Sequence, residues 1–149
     1  MNLQDKLKEE TIILPIQSTT QSEAIQELLV HLQNNKILSA TIKLFSYIDN
    51  NERMSPCAAG RGVAYPHSTS IEIDKLTCVL GFSKDGIDFN SPDEQLCHII
   101  LLTLSPDANP CEHRKFITRF TTMMDNPMVR FQLLDANKSD EVITIIQQW

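Results

Sequence analysis

The sequence predicts an α/β fold, a mixed β-sheet flanked by helices on both faces in a single compact domain. Three observations carry this. An apolar stretch, TIILPIQS at 11–18, is followed at once by a helical pattern. Two further runs, LTCVLGFS at 76–83 and LCHIILLTL at 96–104, are rich in β-branched and aliphatic residues. From Pro110 onward apolar residues return at helical spacing. Helices on both sides of one sheet bury all of these faces best.

Each element has its own signals. The stretch 11–18 reads as a strand, slightly broken by Pro15. Thr20 starts the first helix, with Glu23 three residues on as a capping box. Ile25, Leu28, Leu29 and Leu32 form its apolar stripe, and His31 beside it reads as a helix-surface residue. Asn34–Asn35 ends it. Ser39 caps a second helix, with Ile42, Phe45 and Ile48 on one face, which runs out at Asp49, Asn50 and Asn51. MSPCAAG fits neither period, and GVAYPH is a short extended segment. The run at 96–104 suits a central strand buried on both faces. His98 within it reads as satisfied and non-catalytic. Between the two apolar runs, Asp85–Gly86 signals a turn. Asn109 caps the third helix, with Pro110 in first position and Glu112 completing the box. Phe116, Ile117, Phe120, Met123 and Met124 form its apolar positions. Asn126–Pro127 opens a short helix with Val129 and Leu133. Ser139 caps the last one, whose stripe is Val142, Ile145, Ile146 and Trp149.

Length and charge narrow the function. A chain of 149 residues favours one domain, 1–149. Nineteen acidic residues against thirteen basic ones give a net charge of −6, and no Lys/Arg run appears. A broad nucleic-acid surface is therefore not expected. No apolar run approaches the ~20 residues that span a bilayer. The start, MNLQDKLKEE, is polar and unlike a secretory signal, so the expected location is the cytoplasm. The four cysteines form no C-x-x-C and read as reduced thiols. Cys111 and His113 stand two apart, but no second ligand pair at zinc spacing accompanies them, and neither metal nor cofactor is expected.

One segment concentrates unusual residues. AAGRGVAYPH, at 58–67, holds two of the four glycines around Arg61. It matches neither a dinucleotide fingerprint nor a Walker A loop. Taken alone, Gly60-Arg61-Gly62 reads as a turn entering a strand. Pro66 then holds Tyr65 extended and removes a ladder donor, placing His67 where regular pairing stops. A neutral imidazole offers a nucleophilic nitrogen without a strong base, provided its other nitrogen is held. His113 shares a helical face with Ile117, Phe120 and Met124, so it should point towards the sheet. The helix start beside it offers backbone N–H groups to an anion. Rings of His67 and His113 within about 4–6 Å of one another would fit a shared phosphoryl site.

Gly60-Arg61-Gly62-Val63-Ala64-Tyr65-Pro66-His67 resembles the G-x-G-[VI]-A-[IVF]-P-H hallmark of phosphotransferase-system enzyme IIA domains of the fructose/mannitol type. That group includes the nitrogen-regulatory enzyme IIA proteins. The resemblance extends over nearly the whole chain and matches the family's second histidine to His113. It implies that His67 accepts a phosphoryl group from an HPr-like phosphocarrier without a metal ion. His113, the backbone of Gly60 and Gly62, and Arg61 would hold the phosphoryl oxygens. The group would then pass to a IIB partner or act as a regulatory signal, and a single IIA domain favours the nitrogen-regulatory branch. The sequence departs from the pattern in places. Asn51 stands where the family usually has an arginine, with Arg53 two positions off. Cys57 replaces the usual threonine, and Ser68 a frequent glycine. Arg61 or Arg53 would then supply the missing charge. The alternatives are a sugar-specific IIA serving a separate IIB, or a transfer-impaired binding module on the same fold. A hydrolase using Cys57 or Ser68 with His67 is a distant further reading.

Overall fold

The structure, a computed structural model, describes residues 2–107 and 110–149. The elements follow in the order β1 (Ile12–Ile13), α1 (Gln21–Asn34), α2 (Ile42–Met54), β2 (Ala58–Gly60), β3 (Val63–Ala64), β4 (His67–Ser70), β5 (Thr77–Ile87), β6 (Cys97–Pro106), α3 (Pro110–Met124), α4 (Pro127–Asp135) and α5 (Ser139–Gln147). The sheet order is β1-β5-β6-β3-β2, with β4 also paired to β6. Strand β6 is central, antiparallel to β5 and parallel to β3 and then β4. It is mixed and covered on both faces, as the sequence predicts.

Alternation along β6 separates two cores. Ile100, Leu102 and Leu104 face α1 and α2, packing with Ile25, Leu28, Leu29 and Ile48. Ile99 and Leu101 face the other way, onto Phe116, Phe120, Met123, Leu133, Val142 and Ile146 of α3, α4 and α5. The polar N-terminal stretch contributes to this second core, since short 3-10 turns at Leu3–Asp5 and Glu9–Thr11 bury Leu3 and Leu7. Among the described residues no helix is long and apolar enough to cross a membrane.

Several boundaries differ from the sequence reading, each for a local reason. The first strand is only two residues long. Pro15 has no N–H, and the N–H groups of Gln17 and Ser18 turn to the Glu27 carboxylate at 3.1 and 2.9 Å. The Thr20 hydroxyl does cap α1, accepting from Glu23 N–H at 3.3 Å. Thr41, not Ser39, occupies the cap position of α2, and Ile42 is 82% exposed. That helix runs on past Asn51 to Met54 because its polar residues find partners against α1. Asp49 accepts from the Ser22 hydroxyl at 2.6 Å, and Glu52 from Gln21 Nε2 at 2.9 Å. Asp85–Gly86 is no strand-ending turn. It lies in an irregularity inside β5, where the register shifts between Phe82 and Ile87. Strands β2 and β4 escaped the sequence reading because three or four residues of Ala, Gly, Ser, Thr and His carry no period. The Asn109 cap lies outside the described residues. Asn126 caps α4 as expected, accepting from Met128 N–H at 2.9 Å. Ser139 is the first residue of α5 instead of its cap, and Trp149 is 39% exposed instead of part of the buried stripe.

Candidate functional site

His67 opens β4 directly after Pro66. The Pro66 carbonyl accepts from Thr103 N–H at 3.1 Å, so pairing with β6 resumes at once. Parallel partners share a face, and the register His67↔Thr103 places both side chains on the side covered by α3. His113, in the first turn of α3, turns to that same side. Its Nε2 lies 2.8 Å from Thr103 Oγ1. The ring centroids of His67 and His113 are 5.8 Å apart, with planes tilted by 34°. The sheet register and one helix start thus bring together two histidines distant in sequence.

The exposed His67 ring is oriented by its own strand. Nδ1 lies 3.0 Å from the Tyr65 carbonyl oxygen. A carbonyl only accepts, so Nδ1 carries the proton and Nε2 keeps its lone pair. Tyr65 is fixed in turn by an edge-to-face contact with Phe120 of α3, with centroids 5.9 Å apart. His113 is half-buried. Burial, and then the neighbouring His67, hold its pKa below the ordinary histidine value. It is therefore neutral near pH 7. His98 is separate from this pair, donating Nδ1–H to the Ser83 carbonyl at 2.9 Å. His31 Nε2 reaches the Glu10 carbonyl at 2.7 Å, also apart from it.

Gly60, Arg61 and Gly62 are not brought to the histidine pair. They have φ of 85°, 60° and 78° and form the reversal between β2 and β3. Such left-handed backbone is what glycine is needed for. The turn is sealed by Asp93, whose Oδ2 accepts from Arg61 N–H at 2.8 Å. The Gly62 carbonyl accepts from His98 N–H at 2.8 Å, five residues before Thr103 on β6. At strand rise that is roughly 17 Å away. The Arg61 guanidinium pairs with Asp125 at 2.8 Å, just past the far end of α3. His113 and Asp125 are twelve residues apart, roughly 18 Å along a helix. Arg53 pairs with Asp49 at 2.9 Å on α2. Both candidate guanidinium groups are thus engaged with carboxylates, and Asn51 is an exposed residue of α2.

Two buried polar residues were not singled out from sequence. Thr103 is one; a hydroxyl inside an apolar central strand was its signal, since a buried hydroxyl needs a partner. Glu52 is the other. It is 4% exposed and continues the spacing of Leu44 and Ile48 along α2. Its carboxylate accepts from Cys57 N–H at 3.3 Å, and Cys57 Sγ also donates to it. Burial and Glu52 together push the Cys57 thiol well above its ordinary pKa. A thiol kept protonated is a poor nucleophile, and the group behind His67 Nδ1 is a carbonyl, not a carboxylate. The hydrolase reading has no support from this geometry. Among the described residues no three His, Cys, Asp or Glu side chains converge to hold a metal ion.

Residues 5–149 match the family model described as phosphoenolpyruvate-dependent sugar phosphotransferase system, EIIA 2. Among curated proteins, the chain is 29% identical to the PTS system fructose-specific EIIABC component of Bacillus subtilis, over 99% of this chain and 23% of that protein. It is 22% identical to a nitrogen regulatory protein of Bradyrhizobium diazoefficiens, over 98% of this chain and 95% of that one. The chain thus spans about a quarter of the multidomain relatives it matches and nearly all of the shorter one. Among solved structures, nitrogen regulatory protein IIA-Ntr from Neisseria meningitidis superposes with a TM-score of 0.88 at 19% identity, covering 97% of this chain and 98% of that one. IIA mannitol from Escherichia coli gives 0.81 at 22% identity, covering 95% and 99%. Its complex with phosphorylated enzyme IIB mannitol also gives 0.81, at 20% identity, covering 97% and 99%. These likenesses establish the fold.

Proposed function

Because the chain belongs to the EIIA 2 family of the phosphoenolpyruvate-dependent sugar phosphotransferase system, we propose that residues 1–149 are a phosphoryl-carrier domain whose acceptor is His67. The observation that carries this is the 5.8 Å His67–His113 pair, with His67 Nε2 left free by the Tyr65 carbonyl.

The step needs little covalent help. His67 Nε2 attacks the phosphorus of a donor phosphohistidine in line. The new N–P bond forms as the donor's N–P bond breaks, and that electron pair returns to the donor nitrogen. The Tyr65 carbonyl supports the positive charge that the His67 ring acquires. His113 is the second participant. With the Thr103 hydroxyl donating to Nε2, His113 Nδ1 keeps the ring proton and through it hydrogen-bonds to a phosphoryl oxygen. Positioning and charge stabilisation do most of the work. Gly60, Gly62 and Arg61 are omitted from this site for the distances given above.

The donor is an HPr-like phosphocarrier, and the next acceptor is a IIB domain or a regulatory target. Support for IIB comes from the solved IIA–IIB mannitol complex on the same fold. Support for a regulatory role comes from the nitrogen regulatory protein matched nearly end to end. The place of action is the cytoplasm. The test is incubation with phosphorylated HPr-like carrier. Acid-labile phosphate is expected on the wild type and none on His67→Ala. An unlabelled wild type, or a fully labelled variant, overturns the reading.

A further inference from the structure

The cations of this acidic chain are unevenly committed. Lys6, Lys43, Arg53 and Arg61 each pair with a carboxylate. Among the described residues Arg114, Lys115 and Arg119 have no Asp or Glu side-chain carboxylate within 4.0 Å. All three lie on the solvent face of α3. Together with Thr118, Thr122 and Trp149 they line an open groove of about 680 Å³ that contains no acidic residue. Arg119 donates to the Trp149 carbonyl at 3.3 Å, which fixes the indole end of the groove. The other end begins at Arg114, the residue after His113.

We propose that this groove docks an acidic polypeptide segment, supplied by the protein that exchanges the phosphoryl group with His67. Charge selects the partner. Three cations with no acidic side chain among them form a local positive stripe on a chain of net charge −6, which steers carboxylates and repels basic surfaces. Shape selects a polymer over a small anion. Every lining residue is exposed, whereas small-molecule sites enclose most of their ligand. The stripe Arg114, Lys115, Thr118, Arg119 and Thr122 follows the helix axis, so an extended segment meets it residue by residue. Trp149 adds an apolar surface for a side chain within that segment. Position ties the groove to function, because a partner aligned along α3 has its near end at the histidine pair. This inference rests on the phosphoryl-carrier reading for the identity of the partner, not for the chemistry of the groove.

The test uses the full chain and a short fluorescein-labelled Glu/Asp-rich peptide followed by anisotropy at low and physiological salt. A Lys-rich peptide and ATP serve as comparison ligands. The acidic peptide should bind the wild type with strong salt dependence. Binding should weaken about tenfold in Arg114→Ala/Lys115→Ala/Arg119→Ala. Thr118→Glu, which places a negative charge in the groove, should weaken it as well. No binding by the wild type, equal binding by the triple variant, or tighter binding of ATP than of the peptide overturns the proposal. His67 labelling is scored in the same samples. Labelling without peptide binding removes the groove and keeps the carrier, while peptide binding without labelling removes the carrier reading and keeps the groove.

Discussion

Thr103 is 1% exposed, and its hydroxyl is tolerated in the sheet centre because His113 Nε2 meets it at 2.8 Å. It acts as a positioning residue. Thr103→Val keeps the shape and removes the hydrogen bond. Stability should fall by about 1 kcal/mol in urea unfolding. His67 labelling should slow roughly tenfold, and Thr103→Ser should restore it. His113 carries a pH dependence whose sign is fixed by its environment. Burial and His67 lower its folded pKa, so the unfolded chain binds the proton more readily. Its stability contribution is fully present above the ordinary histidine value near 6.5 and is lost as pH falls from there through the lowered folded value. Unfolding midpoints across this window should slope less in His113→Gln than in the wild type. Both histidines were singled out in sequence from their settings, His67 directly after Pro66 and His113 near a helix start, although His67 opens β4 where a break in pairing was expected. Thr103 was not, because only the sheet register reveals what a strand residue faces.

The element that misled the sequence reading most is the β2–β3 turn. Its glycines and Arg61 precede His67 by only a few residues, yet β3 carries the chain roughly 17 Å from one to the other. Adjacency in a strand is separation in space, and no residue pattern states where the far end lies. The consequence is measurable. Arg61→Ala should leave the rate of His67 labelling unchanged, because its guanidinium serves Asp125. Loss of that exposed pair should cost well under 1 kcal/mol. Gly62→Ala should cost more, about 1–2 kcal/mol in urea unfolding, because φ of 78° strains any Cβ. It too should leave labelling intact in the folded chain. The helices were the most legible elements, since 3.6-residue apolar spacing survives in sequence. The short strands were the least, and α2 ran past its predicted end because Asp49 and Glu52 found partners in α1 that only packing supplies.

Across the whole molecule, the sheet keeps two cores apart while β6 belongs to both. Leu101 and Leu102 are each fully buried, on opposite faces. Replacing either with Ala should cost about 2–5 kcal/mol. The costs should add to within about 0.5 kcal/mol, since the cavities open into different clusters. Domains of this kind hold about 5–15 kcal/mol in total, so the double variant should show little or no cooperative transition in urea. The α/β class was legible because β6 is apolar on both faces, a pattern few other architectures need. Where the sheet ends was not legible, and the proposed phosphoryl acceptor sits on its outlying strand β4. His67 stands exposed on the rim, while Thr103 and Tyr65, which govern the two rings, are anchored in the packed interior. On the carrier reading, an acceptor exposed in this way reacts without first being uncovered. Its pace is set by how often the right surface arrives and how soon it leaves. The proposed carrier would then work as a relay whose throughput follows the traffic of its partners.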